Sequence, residues 1–316
     1  MPDFSQSQII QIKEIFTIGT DEKELFYSIK DICIADDSTF YVADSKGFSV
    51  SKYNKDGTLI KRIGQRGQGP GEFSMEPFTV ILVEDTLYVA DGLGKIQLFN
   101  TKLEYLINLP GLLLSTFVVE SYTKRVISVT NSYEPKEVLL YLSFFNTKFE
   151  KTSSVIIDKP HEYFMLNRFQ IAVDENHIIL MFYHLNRIEI SDKNGHFRKK
   201  FSIDGLPNDV PITDMSKRLK KAKSLTPSHR QALSFLPDKF IFNSIALNNR
   251  GYIFVQSGHY SASREIYVLN YQGELLTSFT LPEGDRLMRI DQHGFLYASA
   301  EHRTLLKKYK IEYEGF

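Results

Sequence analysis

The sequence contains no tryptophan and one cysteine among its 316 residues. A single cysteine, Cys33, cannot form an intramolecular disulfide, and a metal site built from several thiolates is excluded as well. Cys33 lies within the apolar segment 31–35 (DICIA), which predicts a buried side chain rather than a nucleophile. The chain therefore has neither a disulfide framework nor a cysteine-rich zinc site.

The chain also has no net charge and no long apolar segment. Lysine and arginine number 38, and so do aspartate and glutamate, so no overall positive potential attracts nucleic acid or an anionic membrane. The longest apolar stretches, such as 177–183 (HIILMFY), are far shorter than the roughly 20 residues of a membrane-spanning helix. The first residues lack the basic and apolar regions of a signal peptide. We expect no nucleic-acid partner, no transmembrane segment and no signal peptide in this sequence.

Phenylalanine and tyrosine are abundant instead, with 24 and 17 residues, and both favour β-strands. The segment 40–44 (FYVAD) recurs as 87–91 (LYVAD). Turn-forming residues recur at 54, 100, 146 and 192, which are 46 positions apart, and again at 270. This last interval of 78 is explained by an insertion at about 205–238 that has proline and helix signals. A repeat of 40–50 residues is typical of propeller blades.

The sequence thus predicts a single all-β domain over 1–316, a six-bladed β-propeller with four-stranded blades. Asp-Gly at 56–57 and Asn-Gly at 194–195 predict hairpins between third and fourth strands. Segment 8–19 resembles a fourth strand, so we expect it to complete the last blade and close the ring. The predicted blades are at about 29–64, 77–110, 112–158, 168–204, 239–282, and 285–316 plus 8–19.

Segment 64–73 (GQRGQGPGEF) raises the question of a phosphate-binding loop. It matches neither G-x-x-x-x-G-K-[ST] nor G-x-G-x-x-G, and no helix pattern follows it. We interpret it as a turn between the outer strand of one blade and the inner strand of the next, where glycine permits left-handed backbone. The predicted structural residues of this turn are Gly64, Gly67, Gly69, Gly71 and Phe73.

Segments 62–73 (RIGQRGQGPGEF) and 77–100 (PFTVILVEDTLYVADGLGKIQLFN) resemble an NHL-type repeat. More narrowly, the chain is similar to a bacterial six-bladed propeller family related to NHL proteins, with the specific match over 40–100. The resemblance implies either a binding scaffold or a lyase or lactonase that binds metal in the central channel. It also implies an extracytoplasmic location, because relatives are often exported or lipid-anchored.

Several polar residues are expected on one face of the propeller. If the strands of a blade are named a to d from the axis outward, the b–c and d–a loops share a face. The histidines predicted there are His161, His184, His229, His259 and His302. The polar residues expected near the inner strand ends are Asp31, Glu76, Asn167, Asn243 and Arg286. A metal site requires three or four such groups to converge, and solvated loop residues are the alternative.

Two other sets have structural interpretations. Asp44 and Asp91 end the two recurring strands, so we expect their carboxylates to accept backbone hydrogen bonds in the following turns. The insertion carries a basic run consisting of Lys217, Arg218, Lys220, Lys221 and Lys223. This run is either a solvated face or a partner-binding surface, because long insertions in compact domains tend to be functional.

Two functions remain open. The first is a non-enzymatic module without a cofactor that recognises a protein, peptide or glycan on the face with the d–a and b–c loops. The alternative is a lyase or lactone hydrolase that uses a divalent metal in the channel. The sequence favours the first, because it has neither a G-x-S-x-G nor an H-E-x-x-H motif.

Overall fold

The computed structural model describes residues 8–21, 24–92, 95–109, 117–120, 125–133, 138–157, 169–208, 240–258 and 265–315. Within these ranges, 24 strands form six separate four-stranded sheets. No helix in this part of the chain is long and apolar enough to cross a membrane. The predicted basic run of the insertion lies outside the described residues.

The strands follow one another through the blades in order. Blade one has β2 (Ile29–Ile34), β3 (Phe40–Asp44), β4 (Ser49–Tyr53) and β5 (Leu59–Ile63); blade two has β6 (Pro77–Val83), β7 (Thr86–Asp91), β8 (Ile96–Asn100) and β9 (Tyr105–Leu109). Blade three has β10 (Phe117–Val119), β11 (Val126–Tyr133), β12 (Val138–Phe145) and β13 (Lys151–Ile157); blade four has β14 (Phe169–Val173), β15 (His177–Phe182), β16 (Ile188–Asp192) and β17 (Phe197–Phe201). Blade five has β18 (Phe242–Leu247), β19 (Ile253–Ser257), β20 (Glu265–Leu269) and β21 (Leu275–Thr280).

The sixth blade is built from both ends of the chain. It contains β22 (Arg286–Ile290), β23 (Phe295–Ala300), β24 (Leu305–Glu314) and, as its outer strand, β1 (Ile9–Ile18). β1 runs antiparallel to β24, with Ile9 opposite Glu314 and Ile18 opposite Leu306. The predicted all-β, six-bladed architecture is confirmed, and the N-terminal strand covers the edge that β24 would otherwise expose.

The hydrophobic core lies between neighbouring blades. All five residues of β3 are buried, as are the last five of β7. Such continuous burial fits strands that are covered on both faces. Tyr41 of blade one, for example, belongs to one buried cluster with Val89 and Phe99 of blade two. Outer strands are largely exposed, as in β17.

The residues that recur every 46 positions lie in the turns between third and fourth strands. The Asn54 side-chain oxygen accepts hydrogen bonds from the backbone N–H groups of Asp56 (3.0 Å) and Thr58 (2.8 Å). Equivalent contacts occur at residues 100, 146, 192 and 270. Because this side-chain oxygen satisfies the turn's N–H groups, asparagine or aspartate recurs at this position in blades one to five.

Candidate ligand-binding site

A large cavity opens at the end of the central channel where the d–a and b–c loops lie. Its volume is about 1270 Å³, and we call it the entrance cavity. Each inner strand contributes at least one lining residue, in blade order Asp31, Thr79, Val118, Gln170, Asn243 and Arg289. Such a concave space with a few polar groups is typical of a ligand site.

Backbone irregularities shape this end of the channel. The inner strands β2, β6 and β18 each carry a register shift near their first residues. The residues at these shifts are Lys30, Phe78 and Asn243, and all three line the cavity. A β-bulge re-aims a side chain and bends its strand, so the bulges place these residues at the cavity wall.

Asp31 and Arg289 connect three blades at the axis. The Arg289 guanidinium donates to the Asp31 carboxylate at 3.1 Å, and the other Asp31 oxygen accepts the Val80 N–H at 3.1 Å. Burial raises the pKa of Asp31, although the Arg289 charge opposes this shift. Asp31 therefore joins blades one, two and six.

Other polar residues at the axis also make contacts between blades. Arg286 donates to the main-chain oxygen of Asn243 at 2.9 Å. The Gln170 side chain accepts the Ile245 N–H at 3.2 Å. Glu76 is exposed and is not among the described residues that line the cavity, and its carbonyl oxygen accepts the Gly92 N–H at 3.0 Å. The structure thus brings Asp31, Asn243 and Arg286 to one cavity.

One wall of the entrance cavity is aromatic. Tyr183 and Phe240 line it together, in an edge-to-face pair with ring centroids 5.8 Å apart. Phe78 is 38% exposed, and the Lys30 ammonium lies 4.3 Å from its ring centroid. Rings with exposed faces bind apolar groups and sugar rings in water-accessible pockets. Blade six provides the arginines Arg286, Arg289 and Arg303 on the cavity lining.

The predicted histidines differ in their positions. His184 is buried and stacks on Phe240 with ring centroids 4.9 Å apart, so it supports the aromatic wall. His302 is exposed and lines the cavity. The remaining predicted residues of this face lie outside the described residues, namely His161, Asn167, His229 and His259. In the part of the chain that is described, no three histidine, cysteine or acidic residues converge in a metal-binding arrangement.

The two recurring aspartates make contacts with the backbone. Asp44 is 2% exposed and accepts the N–H groups of Tyr27 at 2.9 Å and Ser28 at 2.7 Å. Asp91 is 4% exposed and accepts the N–H of Lys95 at 3.0 Å. These contacts secure the connections around the second strands of blades one and two.

Nearby side chains occupy the space and accept the N–H groups of the glycine-rich segment 64–73. The Glu72 carboxylate accepts the Gly69 N–H at 2.9 Å, and Gln97 accepts the Gly71 N–H at 3.0 Å. A β-carbon on Gly67 would lie 2.1 Å from the Glu72 carboxylate. The space and donors that a phosphate would need are therefore occupied, and Phe73 is fully buried between the blades.

Comparisons with known proteins agree with this architecture. Residues 2–256 match the model of DUF5128, a family described as a 6-bladed beta-propeller. The chain belongs to this family. Among curated proteins, no sequence matches.

Solved structures share the fold at low sequence identity. A member of the DUF4221 family from Bacteroides vulgatus is 11% identical, with a TM-score of 0.62 over 96% of this chain and 98% of that chain. Virginiamycin B lyase from Staphylococcus aureus is 9% identical, with a TM-score of 0.56 over 96% and 99%. The WD40 beta propeller domain of Doa1 is 11% identical, with a TM-score of 0.54 over 96% and 97%. These neighbours show the fold alone, because one propeller architecture supports both enzymes and binding modules.

The cavity residues that sequence reasoning missed include Lys30, Phe78, Tyr183, Phe240, Arg289 and Arg303. Tyr183 and Arg303 each lie in a b–c loop, so a survey of those loops for aromatic and cationic residues would have found them. Lys30 reaches the cavity because of a β-bulge. Phe240 reaches it because the chain returns from the insertion at this point. Neither feature has a local sequence signature.

Proposed function

We propose that this chain is a non-enzymatic, NHL-like binding module that recognises a protein segment, peptide or glycan in the entrance cavity. The cavity itself is the main support, since it combines about 1270 Å³ of space with an aromatic wall and a few charged groups. Most axial polar groups already hold the blades together, which suits a rigid scaffold.

The insertion contributes to this proposed site. Asn208, near its start, accepts the Asn186 N–H at 2.9 Å, and Phe240, just after it, forms part of the aromatic wall. One end of the insertion therefore contacts the b–c loop of blade four, and the other end lies at the cavity. Replacing its five basic residues, at 217, 218, 220, 221 and 223, with glutamine tests whether they contact the partner. Weaker binding at an unchanged melting temperature is the expected result.

The proposed site is tested with two separate variants, each of which places a tryptophan at one end of the channel. Short peptides and oligosaccharides are screened by thermal shift, because a ligand at 100 times its Kd stabilises the folded state by about 2.7 kcal/mol. Thr79→Trp narrows the entrance cavity, whereas Gln292→Trp alters an exposed residue at the opposite end. We expect the first variant to lose the ligand-induced shift and the second to keep it. Equal shifts in both variants would contradict the assignment.

A metal-dependent lyase or lactonase is the competing proposal. Its metal would need several ligands at the axis, but the Asp31 carboxylate is engaged by Arg289 and the Val80 N–H. Elemental analysis of protein purified without chelator, paired with melting curves with and without EDTA, tests this alternative. A stoichiometric divalent ion whose removal lowers the melting temperature would favour the enzyme.

A further inference from the structure

Two arginines of blade six lie on the lining of the entrance cavity and have no carboxylate partner among the residues that the structure describes. Arg286 begins the inner strand β22, and Arg303 follows the second strand β23; both are partly buried. Arg286 makes one hydrogen bond, to the main-chain oxygen of Asn243. Among the described residues, no ion pair joins either guanidinium to an acidic side chain. The third cavity arginine, Arg289, differs because it pairs with Asp31.

The acidic residues at this end of the channel offset the positive charge of Arg286 and Arg303 only weakly. Glu283 and Glu301 line the cavity but are exposed to solvent, where water weakens their attraction to nearby cations. Burial lowers the pKa of Arg303, and the charge of Arg286 lowers it further. The two like charges therefore repel one another, and an anion bound between them would offset that repulsion.

The backbone that presents Arg303 is strained. Residues 301–303 have φ values of 43°, 57° and 74°, in the left-handed region that residues with a β-carbon seldom adopt. Left-handed backbone is energetically unfavourable for such residues, and strain of this kind clusters at ligand sites. The strained turn places His302 and Arg303 on the cavity lining.

The entrance cavity also has an apolar surface for the rest of a ligand. Phe78, Tyr183 and Phe240 line it together with the two arginines. A ligand that satisfies both features carries an anionic group next to an apolar ring or chain. The planar guanidinium matches a carboxylate through paired hydrogen bonds.

We propose that the entrance cavity binds its ligand through a carboxylate held by Arg286 and Arg303, with the ligand's apolar part against Tyr183 and Phe240. This inference rests on the proposed binding function and names the chemistry that the site selects. The carboxylate could come from the C-terminus of a peptide or from an acidic sugar, because both present the same group.

The test uses the full chain and two matched pairs of probes in ligand-observed NMR titrations. N-acetylphenylalanine and its amide represent a peptide terminus with and without charge, and glucuronate and glucose represent a sugar with and without charge. In at least one pair, we expect the carboxylate to bind about tenfold more tightly or better, since hydrogen bonds to charged groups are the stronger ones. The responding pair identifies the source.

Two single substitutions test whether the preference for a carboxylate depends on Arg303. Arg303→Gln keeps the β-carbon and a polar side chain but shortens that side chain and removes the charge, and it should abolish the difference between charged and neutral probes. Arg250→Gln is the control, because Arg250 is exposed, stacks on Tyr313 at 4.4 Å and is not among the cavity residues. Melting curves of both variants check that the fold is intact.

Three results would overturn the inference: equal binding within both pairs, no binding of any of the four probes, or a carboxylate preference that survives Arg303→Gln. If neutral peptides or sugars from the wider screen still bind in the cavity, the binding function stands and only the carboxylate chemistry fails.

Discussion

The two ends of the central channel differ in size and in chemistry. The end with the d–a and b–c loops has the entrance cavity of about 1270 Å³, with exposed rings and arginines. The opposite end has a cavity of about 300 Å³, lined largely by apolar residues where the inner strands end, such as Ile34, Leu82 and Val173. The inner strands β2, β6 and β18 have register shifts at the first end and pair regularly at the second. Regular pairing accompanies the narrow apolar end, whereas bulges and non-repeating loops line the larger cavity.

Both ends depend on a closed ring, so removing β1 should have the largest effect. Deletion of residues 1–19 exposes the edge of β24 and removes Ile10 and Ile18, which are 7% and 4% exposed. Burial of such side chains stabilises by about 1.5–3 kcal/mol each, and the lost strand pairing adds to this. We expect the cooperative melting transition to be lost or shifted down by more than about 10 °C.

Deletion of residues 1–7 is the matched control, because it leaves β1 in place. A melting temperature for the 1–19 deletion close to that of this control would contradict closure by β1.

A pair of glycine substitutions compares the two ends at the level of single residues. Gly64 has φ of 96°, and an added β-carbon would lie 2.6 Å from both the Phe48 carbonyl oxygen and the Phe73 ring. Gly294, in a turn at the opposite end, has φ of 81° but open space around it. Alanine at 294 should cost about 1 kcal/mol from backbone strain alone, and alanine at 64 about 2–4 kcal/mol in total.

Denaturant unfolding of the two glycine variants measures this difference. Equal losses would show that the close packing around the glycine-rich segment is unimportant for stability.

The smallest expected effect concerns pH at the turn between β16 and β17. Burial tends to raise the pKa of Asp192, but hydrogen bonds from the His196 and Asn194 N–H groups and from Arg198 lower it to about 2. Because the folded pKa lies below the ordinary value of 3.8, this carboxylate stabilises the fold above pH 4, and the contribution is lost as pH falls toward 2.

Asp192→Asn should remove that pH-dependent contribution while keeping the side-chain oxygen that the equivalent turns take from asparagine. At pH 7 we expect a loss below about 1 kcal/mol, because the pair with the exposed Arg198 is at the surface. Urea titrations between pH 2 and 7 provide the comparison. A constant difference between variant and parent across this range would rule out the assigned role.

The difference between repeated turns and non-repeated connections explains which features of the structure could be predicted from the sequence. Asn54 and its counterparts recur because each turn has the same backbone donors to satisfy, so the blade period and the ring could be predicted. Closure of the ring by β1 could be predicted because segment 8–19 resembles the fourth strand of another blade. Arg303 and Phe240 lie in connections whose residues are not repeated in the other blades, so no periodicity identifies them. Lys30 reaches the cavity through a bulge, which depends on tertiary pairing rather than on local residues.

The most direct test of the central claim is fluorescence from single tryptophans at the two ends, since the chain has none of its own. Phe78→Trp reports on the lining of the entrance cavity at blade two, and Gln292→Trp reports on the opposite end. Ligands found in the peptide and oligosaccharide screen are titrated into both variants. Our account predicts a saturable change in the Phe78→Trp variant and none in the Gln292→Trp variant. A saturable change confined to Gln292→Trp would contradict it.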